Sequence, residues 1–396
     1  MELSIKTYRN KISIFIIFII LLFCSGHALQ TIFVPLLYLP ILSLTILMPA
    51  IYQALKNHAL NIYTGTLLLF ILLIFLTCIT SMDGNYGSYF LNLFTISSAF
   101  AITYLYNFHE FSKYYLKFMK IITVISLIGY TLANSQILVN HLPLLSNLNG
   151  VCYRVGLIFN YIDVIPERNC GIFWEPGLFA SYLILALILE ITKKKINIIN
   201  ISIFLLGLLT AHSSAGYVLL VMVILLFFAN KFNSNHNTYC VPPIICAVII
   251  TLLALNVEIF IRIFSLENNE YFTKLLPENL LNSSRFLAIS HNLNIFLDNP
   301  FFGAGVTNLA ETSMYVADTS TSTYLLALYG LLGGIYSVLW IIGIFTQVNL
   351  NINSKIIISL IFLSILNKEP HLNIMLSWCL LFWLIKSNKT FHKNIE

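Results

Sequence analysis

Charged residues are scarce in this 396-residue sequence: Asp, Glu, Lys and Arg make up 9% of it, whereas soluble domains usually contain about 25%. Hydrophobic residues make up 58%, and the mean hydropathy is +0.86. A soluble fold cannot bury so much apolar surface, so the composition excludes a soluble globular protein. In lipid, helices satisfy their own backbone polar groups. We therefore predict an all-α polytopic membrane protein in which residues 1–396 form a single membrane domain.

The sequence also lacks the cysteine and histidine spacings that are typical of a metal site. Its seven cysteines include no Cys-x-x-Cys pair, and we predict no metal and no cofactor. Cys152 and Cys170 fall in one polar stretch, where a disulfide requires an oxidising compartment; we favour free thiols. The net charge of +5 is modest and gives no indication of a nucleic-acid partner.

Long apolar runs are the dominant feature of the chain, and a membrane-spanning helix needs about 20 such residues. This length predicts helices at residues 12–29, 31–52, 60–80, 88–107, 115–134, 171–191, 196–213, 215–230, 239–257, 323–346, 355–367 and 372–386. The second run contains two prolines and the eleventh is short, so we expect about 10 to 12 spans. Residues 1–28 also have the pattern of a signal peptide, but the many later spans favour an uncleaved first helix.

The distribution of lysine and arginine predicts the orientation. With the N-terminus inside, six of the 21 basic residues fall outside and the other 15 fall inside, as expected when loops rich in Lys and Arg stay in the cytoplasm. The six are Arg154, Arg168, Arg262, Lys274, Arg285 and Lys368. Both termini are therefore predicted to be cytoplasmic. Two long outside loops result, residues 134–170 and 258–322, and the larger one precedes the last helices.

Four of the five arginines lie in these two outside loops. The planar guanidinium group matches phosphate oxygens with two parallel hydrogen bonds. Arginines placed against the positive-inside trend therefore indicate an anionic ligand at the outer face. Salt bridges within the loops are the alternative, which we favour for Arg154 and Arg262 taken singly.

Residues 168–182 hold the most informative pattern. Arg168 precedes Phe-Trp-Glu-Pro-Gly, in which Pro176 suits the first turn of a helix and Glu175 lies beside the positive end of the helix dipole. The pattern predicts a helix start with a carboxylate at a membrane boundary, where ionisable groups are often functional. The alternative is a helix start with no further role.

Three further outside segments contain polar residues that suit a ligand. Residues 210–217 form a tight turn in which His212 is either a proton acceptor or a solvated helix end. Residues 319–323 are a run of hydroxyls that either cap a helix or bind a sugar or phosphate. Residues 367–371, Asn-Lys-Glu-Pro-His, form a turn with a charge pair before a proline.

Together these patches resemble the O-antigen polymerase and ligase superfamily of bacterial inner-membrane proteins. The resemblance rests on Arg168, residues 171–180 with Phe-x-Glu-Pro-Gly, residues 210–216, Arg285, residues 299–305 and residues 324–333. Their order and the large loop before the tenth span match as well. Ligases of the superfamily typically have a histidine just before this span, where the present chain has Thr321, Ser322 and Thr323. This departure favours a polymerase and leaves the catalytic base unassigned.

The resemblance implies a metal-independent glycosyltransferase that works at the periplasmic face of the inner membrane. Its donor would be an oligosaccharide on undecaprenyl diphosphate, and its acceptor would be another such lipid-linked unit. Membrane lipids would surround it, and a protein that regulates chain length would be a further partner. The resemblance implies no cofactor and no nucleic acid.

The same resemblance implies roles for individual residues. Arg168 and Arg285 would bind the donor diphosphate and neutralise the charge of the leaving group. Glu175 would deprotonate the acceptor hydroxyl, with His212 and His371 as substitutes. The candidates for further substrate contacts are Arg154, Trp174, Tyr217, Asn299, Tyr324 and His371. For Trp174 and Tyr217 the alternative, which we favour, is a place in the aromatic belt at the membrane interface.

Two alternatives to a polymerase stay open from the sequence. A ligase would transfer the glycan to lipid A-core and differ only in its acceptor. A flippase or transporter of lipid-linked oligosaccharides generally needs ionisable groups deep in the bilayer. The predicted spans nearly lack such groups, because Glu175 and Glu190 lie near opposite ends of one helix.

Overall fold

The structure, a computed structural model, describes residues 14–32, 39–57, 62–81, 86–134, 141–146, 151–156, 159–163, 165–193, 195–232, 284–312, 319–347 and 350–386. The predicted span 239–257, Arg262, Lys274 and the side chain of Arg285 lie outside this description. Of the predicted large loop 258–322, the described parts are residues 284–312 and 319–322.

Helices dominate the described part of the chain. They are α1 (Ile14–Phe23), α2 (Ala28–Ile32), α3 (Leu39–Asn57), α4 (Ile62–Ser81), α5 (Tyr86–Leu105), α6 (Phe108–Asn134), α7 (Pro176–Ile191), α8 (Ile198–Thr210), α9 (Ser214–Phe232), α10 (Ser284–Asp298), α11 (Gly305–Thr312), α12 (Thr321–Tyr329), α13 (Ile335–Phe345), α14 (Ile352–Leu366) and α15 (Met375–Lys386). Short 3₁₀ helices occupy Gly330–Gly334 and His371–Asn373.

Four of these helical segments are long and apolar enough to cross a membrane: Ile62–Ser81, Tyr86–Leu105, Phe108–Ala133 and Thr321–Phe345. Five shorter apolar helices accompany them: Pro176–Ile191, Ile198–Thr210, Ser214–Asn230, Ile352–Leu366 and Met375–Lys386. These five have 12 to 17 residues, and at 1.5 Å per residue such helices are shorter than a hydrocarbon core of about 30 Å. The apolar helices support the prediction of a helical membrane protein.

The first predicted span, residues 12–29, is interrupted. Helix α1 ends at Phe23, and Gly26 has a φ of +97°, a left-handed conformation that favours glycine. The Cys24 carbonyl accepts a hydrogen bond from the Met375 N–H, and the Gly26 carbonyl accepts one from the Trp174 N–H. The turn is buried among other parts of the protein, and backbone N–H groups of distant segments satisfy its carbonyls.

The second predicted span is displaced. We expected residues 31–52, whereas α3 covers Leu39–Asn57 and contains Pro49 within it.

Two groups of contacts lie at opposite ends of helix α15. At one end, the start of α7 contacts the turn after α14, where the Lys368 Nζ donates to the Gly177 carbonyl. At the other end, Lys386 of α15 donates to the Thr103 carbonyl of α5, and its Nζ lies 5.6 Å from the centre of the Tyr63 ring. We call the end that contains Gly177 the loop end, since the predicted outside loops meet there.

A small antiparallel sheet occupies part of the predicted first loop, 134–170, and this corrects the purely helical expectation. Its strands are β1 (Leu144–Ser146), β2 (Cys152–Val155) and β3 (Asn160–Ile162), in the order β1-β2-β3. Tyr153 pairs with Leu145 on one side and with Ile162 on the other. Strands of three or four residues are too short to show a period of two in the sequence.

A helical hairpin forms in the described part of the predicted larger loop. Helices α10 and α11 are joined by a turn whose Ala304 N–H donates to the Ala327 carbonyl, and the Pro300 carbonyl accepts from the Leu331 N–H. Gly303 has a φ of +72°, and a Cβ there would lie 2.2 Å from the Leu328 carbonyl oxygen. The turn 299–305 therefore packs against the segment where α12 gives way to the 3₁₀ helix.

The close packing of this turn makes Gly303 sensitive to substitution. We expect Gly303→Ala to destabilise the protein by about 1–3 kcal/mol, since the residue would be strained and would collide with backbone. The measurement is the melting temperature of the purified protein in detergent.

Gly65→Ala is the matched control, because a Cβ at helical Gly65 meets nothing within 4 Å and alanine favours a helix by about 0.5–1 kcal/mol. Equal melting temperatures for the two variants would contradict this packing.

Candidate functional site

The start of α7 forms one side of the candidate site. Glu175 is the N-cap residue with an extended backbone (φ −147°), and Pro176 occupies the first helical position. The Trp174 N–H donates to Gly26, and the Tyr153 hydroxyl donates to the Trp174 carbonyl. The helix therefore starts at the predicted place, and both the α1–α2 turn and the small sheet support it.

The turn of residues 367–371 packs directly on this helix start. The Lys368 side chain is 5% exposed, and its Nζ donates to the Gly177 carbonyl at 2.7 Å and to the Ser213 hydroxyl at 3.2 Å. A Cβ at Gly177 would lie 2.5 Å from a carboxylate oxygen of Glu369. The glycine of Phe-x-Glu-Pro-Gly thus allows a buried lysine and glutamate to approach the helix.

The hydroxyl run before α12 holds the same turn from another side. The Thr321 hydroxyl donates to the Glu369 carbonyl and accepts from the His371 N–H. The Asn367 side-chain oxygen accepts from the Ser320 hydroxyl and from the Ser322 N–H. We expected these hydroxyls either to cap α12 or to bind a sugar or phosphate. The capping bond at the start of α12 is accepted by the Asn367 side chain, and the hydroxyl of the N-cap residue Ser320 does not form it.

Arg168 lies against the turn between α8 and α9. Its Nε donates to the Ala211 carbonyl at 3.3 Å. The neighbouring Asn169 is buried; its N–H donates to the Thr210 carbonyl, and its side-chain amide donates to the Thr210 and Ser126 hydroxyls. The structure therefore brings together the two predicted segments that contain Arg168 and His212.

His212 is half-buried in this turn and has a φ of +45°, which is uncommon outside glycine. Burial, followed by the nearby Arg168 guanidinium, lowers the pKa of His212 below its ordinary 6.5, although Glu167 opposes the shift. A neutral imidazole can accept a proton. The Tyr217 hydroxyl on α9 donates to the Leu209 carbonyl, so this predicted substrate contact also belongs to the turn.

The remaining predicted residues are dispersed. Arg154 forms an ion pair with Asp163 at 2.9 Å, the arrangement that we favoured for it as an isolated residue. Asn299 is exposed and bonds to the Ile295 carbonyl at the end of α10. Arg285 lies in the first turn of α10. Tyr324 lines a polar cleft beside the 3₁₀ helix that contains His371.

His371 is 4% exposed, and its Nδ1 lies 2.7 Å from the Ser377 hydroxyl. Burial lowers the pKa of His371 to about 3, and the nearby Lys368 charge acts in the same direction. A histidine that is buried and neutral in this way suits the packing of the turn better than a solvent-accessible base.

Sequence reasoning missed three polar residues that connect the site: Asn169, Ser213 and Lys368. The sequence indicated Lys368 as an outside cation and a member of the charge pair in residues 367–371, but its contact with the start of α7 was missed, since Gly177 lies 191 residues away. Cys152 and Cys170 are free thiols, as we favoured. Burial raises the pKa of the Cys170 thiol to about 12, so this thiol stays protonated near neutral pH.

Within the described ranges, no group of three or more His, Cys, Asp or Glu side chains could hold a metal ion. No protein-family model and no curated protein matches this chain.

The buried, neutral His371 predicts a pH dependence of stability. Its pKa is about 3 in the folded protein and 6.5 as the ordinary value, so below pH 6.5 the unfolded chain binds a proton that the folded chain does not. Stability is therefore retained above pH 6.5 and falls as the pH decreases. From pH 7 to pH 5 the loss is roughly 2 kcal/mol, measured as a lower melting temperature in detergent.

His371→Asn should reduce this pH slope, because asparagine keeps a polar partner for Ser377 and does not titrate. His109→Gln is the control, since His109 is exposed at the opposite end of the protein. An unchanged slope in His371→Asn would refute the assignment of the pH dependence to His371.

Proposed function

We propose that this protein is a glycosyltransferase of the bacterial inner membrane. It would polymerise undecaprenyl-diphosphate-linked oligosaccharide repeat units into O-antigen or a similar surface polysaccharide at the periplasmic face. The proposal includes about 10 to 12 spans, cytoplasmic termini and a chain-length regulator as a partner. The observation that carries it is the convergence of separate sequence patches at the loop end, where Lys368 bonds to both Gly177 and Ser213.

The guanidinium group of Arg168 at the loop end supports a diphosphate ligand. Arg168 is partly exposed, and its Nε is held on the Ala211 carbonyl, which leaves its other guanidinium N–H groups for phosphate oxygens. Arg285, in the first turn of α10, is the second arginine that we assign to the diphosphate. Negative charge increases on the diphosphate as its bond to the sugar breaks, and positioned cations stabilise that charge.

The reaction follows from these roles. The acceptor hydroxyl loses its proton to a base, and its oxygen bonds to the anomeric carbon of the donor. The bond between that carbon and the diphosphate oxygen breaks, and its electron pair leaves with undecaprenyl diphosphate. Glu175 remains our first choice as base because it is partly exposed at the start of α7. His212 is the second choice, and we assign His371 a packing role.

The contacts of Glu190 favour an enzyme over a transporter. This carboxylate is buried, yet it accepts from Lys193, from the Asn197 N–H and from the Asn200 amide. These bonds fasten α7 to α8 at the end opposite the loops. Glu190, the buried carboxylate within α7, therefore has a structural role, which does not suit the coupling site of a transporter.

Removing either proposed diphosphate ligand should stop chain growth. We expect Arg168→Ala and Arg285→Ala each to lower polymer formation by at least about a hundredfold, the scale of losing one charge-stabilising group. Gel electrophoresis of cell-surface glycan should then show a single repeat unit where the wild type shows a ladder, with the protein present in the membrane at normal amounts.

Lys113→Ala is the control, since Lys113 is an exposed cation near the start of α6, away from the loop end. A normal ladder in both arginine variants would remove the diphosphate assignment. Glu175→Gln with full activity would remove Glu175 as the base.

A further inference from the structure

A polar cleft lies beside residues 370–373, which follow Lys368 in the chain. Its volume is about 90 Å³, and the starts of α5 and α12, the α11 helix and residues 370–373 enclose it. Its polar groups are the carboxamides of Asn92 and Asn373 and the hydroxyls of Ser88 and Tyr324. The substrate roles assigned above do not use this cleft, apart from the general assignment of Tyr324.

Asn92 is the residue that most clearly indicates a ligand. Its side chain is 4% exposed, and in the described part of the chain no residue forms a hydrogen bond with it. The amide atoms of Asn92 are not fully buried, and the remaining exposed surface of Asn92 lines the cleft. A molecule in the cleft that donates to and accepts from the carboxamide would satisfy it.

The chemistry of the lining selects the class of ligand. Neither basic nor acidic side chains are among the lining residues, so the cleft suits neither a phosphate nor a cation. Apolar surfaces of Pro370 and Leu372 lie beside the amides and hydroxyls. Sugar rings combine hydroxyls, which bond to amides, with apolar C–H faces, which pack on apolar side chains. At roughly 30 Å³ for each water, the volume would hold about three water molecules, which suits one edge of a partly buried monosaccharide.

We propose that this cleft binds a neutral sugar residue of the repeat-unit glycan. This inference rests on the proposed function, and it separates the recognition of the glycan from the recognition of the diphosphate. The diphosphate would be bound beside Arg168, and the sugar beside residues 370–373, which follow the turn that contains Lys368. The turn would then position the two parts of the substrate relative to each other.

Saturation-transfer NMR on the full-length protein in nanodiscs tests the cleft directly. The probe is the repeat-unit oligosaccharide, released by mild acid from the lipid-linked intermediate of a strain that lacks this protein. We expect saturation of its ring protons by the wild type. Asn92→Leu and Asn373→Ala should each weaken binding about three- to tenfold, as expected for one lost hydrogen bond.

Two controls make the result specific. Asn294→Leu changes an exposed asparagine on α10 outside the cleft and should leave binding unchanged. Asn373 is itself exposed, so Asn373→Ala should fold even if Asn92→Leu does not. No binding by the wild type, or unchanged binding by both cleft variants, would overturn the proposal.

Arg168→Ala separates this proposal from the proposed function. If both are right, Arg168→Ala stops polymer formation and still binds the free oligosaccharide. If only the polymerase assignment is wrong, a deletion strain keeps its long glycan while the cleft variants still lose oligosaccharide binding. If only the cleft assignment is wrong, Arg168→Ala stops polymer formation, and the cleft variants bind like the wild type.

Discussion

Hydrogen bonds between interrupted helices hold the loop end together. Backbone groups that have no access to water must find hydrogen-bond partners inside the protein. Here the backbone groups at one helix interruption bond to those at another. The α1–α2 turn accepts from Met375 through Cys24 and from Trp174 through Gly26. The Ala28 N–H donates to Ile172. Segments near residues 26, 173 and 375 are therefore fixed relative to one another before any side-chain chemistry is considered.

This constraint explains why the candidate site contains glycine and buried polar residues. Gly177 lets the Lys368 side chain reach the start of α7, and Ser213 accepts from the same lysine. Asn169 joins the Arg168 turn to the end of α8 in a similar way. Arg168 and the polar cleft thus both adjoin segments of one interlocked structure, which suits a substrate with a charged part and a sugar part.

Hydropathy predicted the positions of most described helices. It misplaced α3 and missed the break after Phe23. A hydropathy window measures how favourably a segment transfers into lipid, and it does not report which backbone groups have hydrogen-bond partners elsewhere in the protein. The sheet was missed because its strands have three or four residues.

The site was only partly predictable for a related reason. The helix start at Pro176 follows from local rules, so sequence alone located it. The burial of Lys368 depends on a glycine in another helix. Such long-range contacts leave no local pattern in the sequence.

The most direct test of the polymerase assignment is a reconstituted reaction. Purified protein in lipid vesicles would receive undecaprenyl-diphosphate-linked repeat units, and mass spectrometry would follow the length of the glycan and the free lipid diphosphate. The account predicts glycans of two or more repeats, with one undecaprenyl diphosphate released for each bond formed. Movement of intact single-repeat lipids across the membrane without longer glycans would contradict it and indicate a transporter.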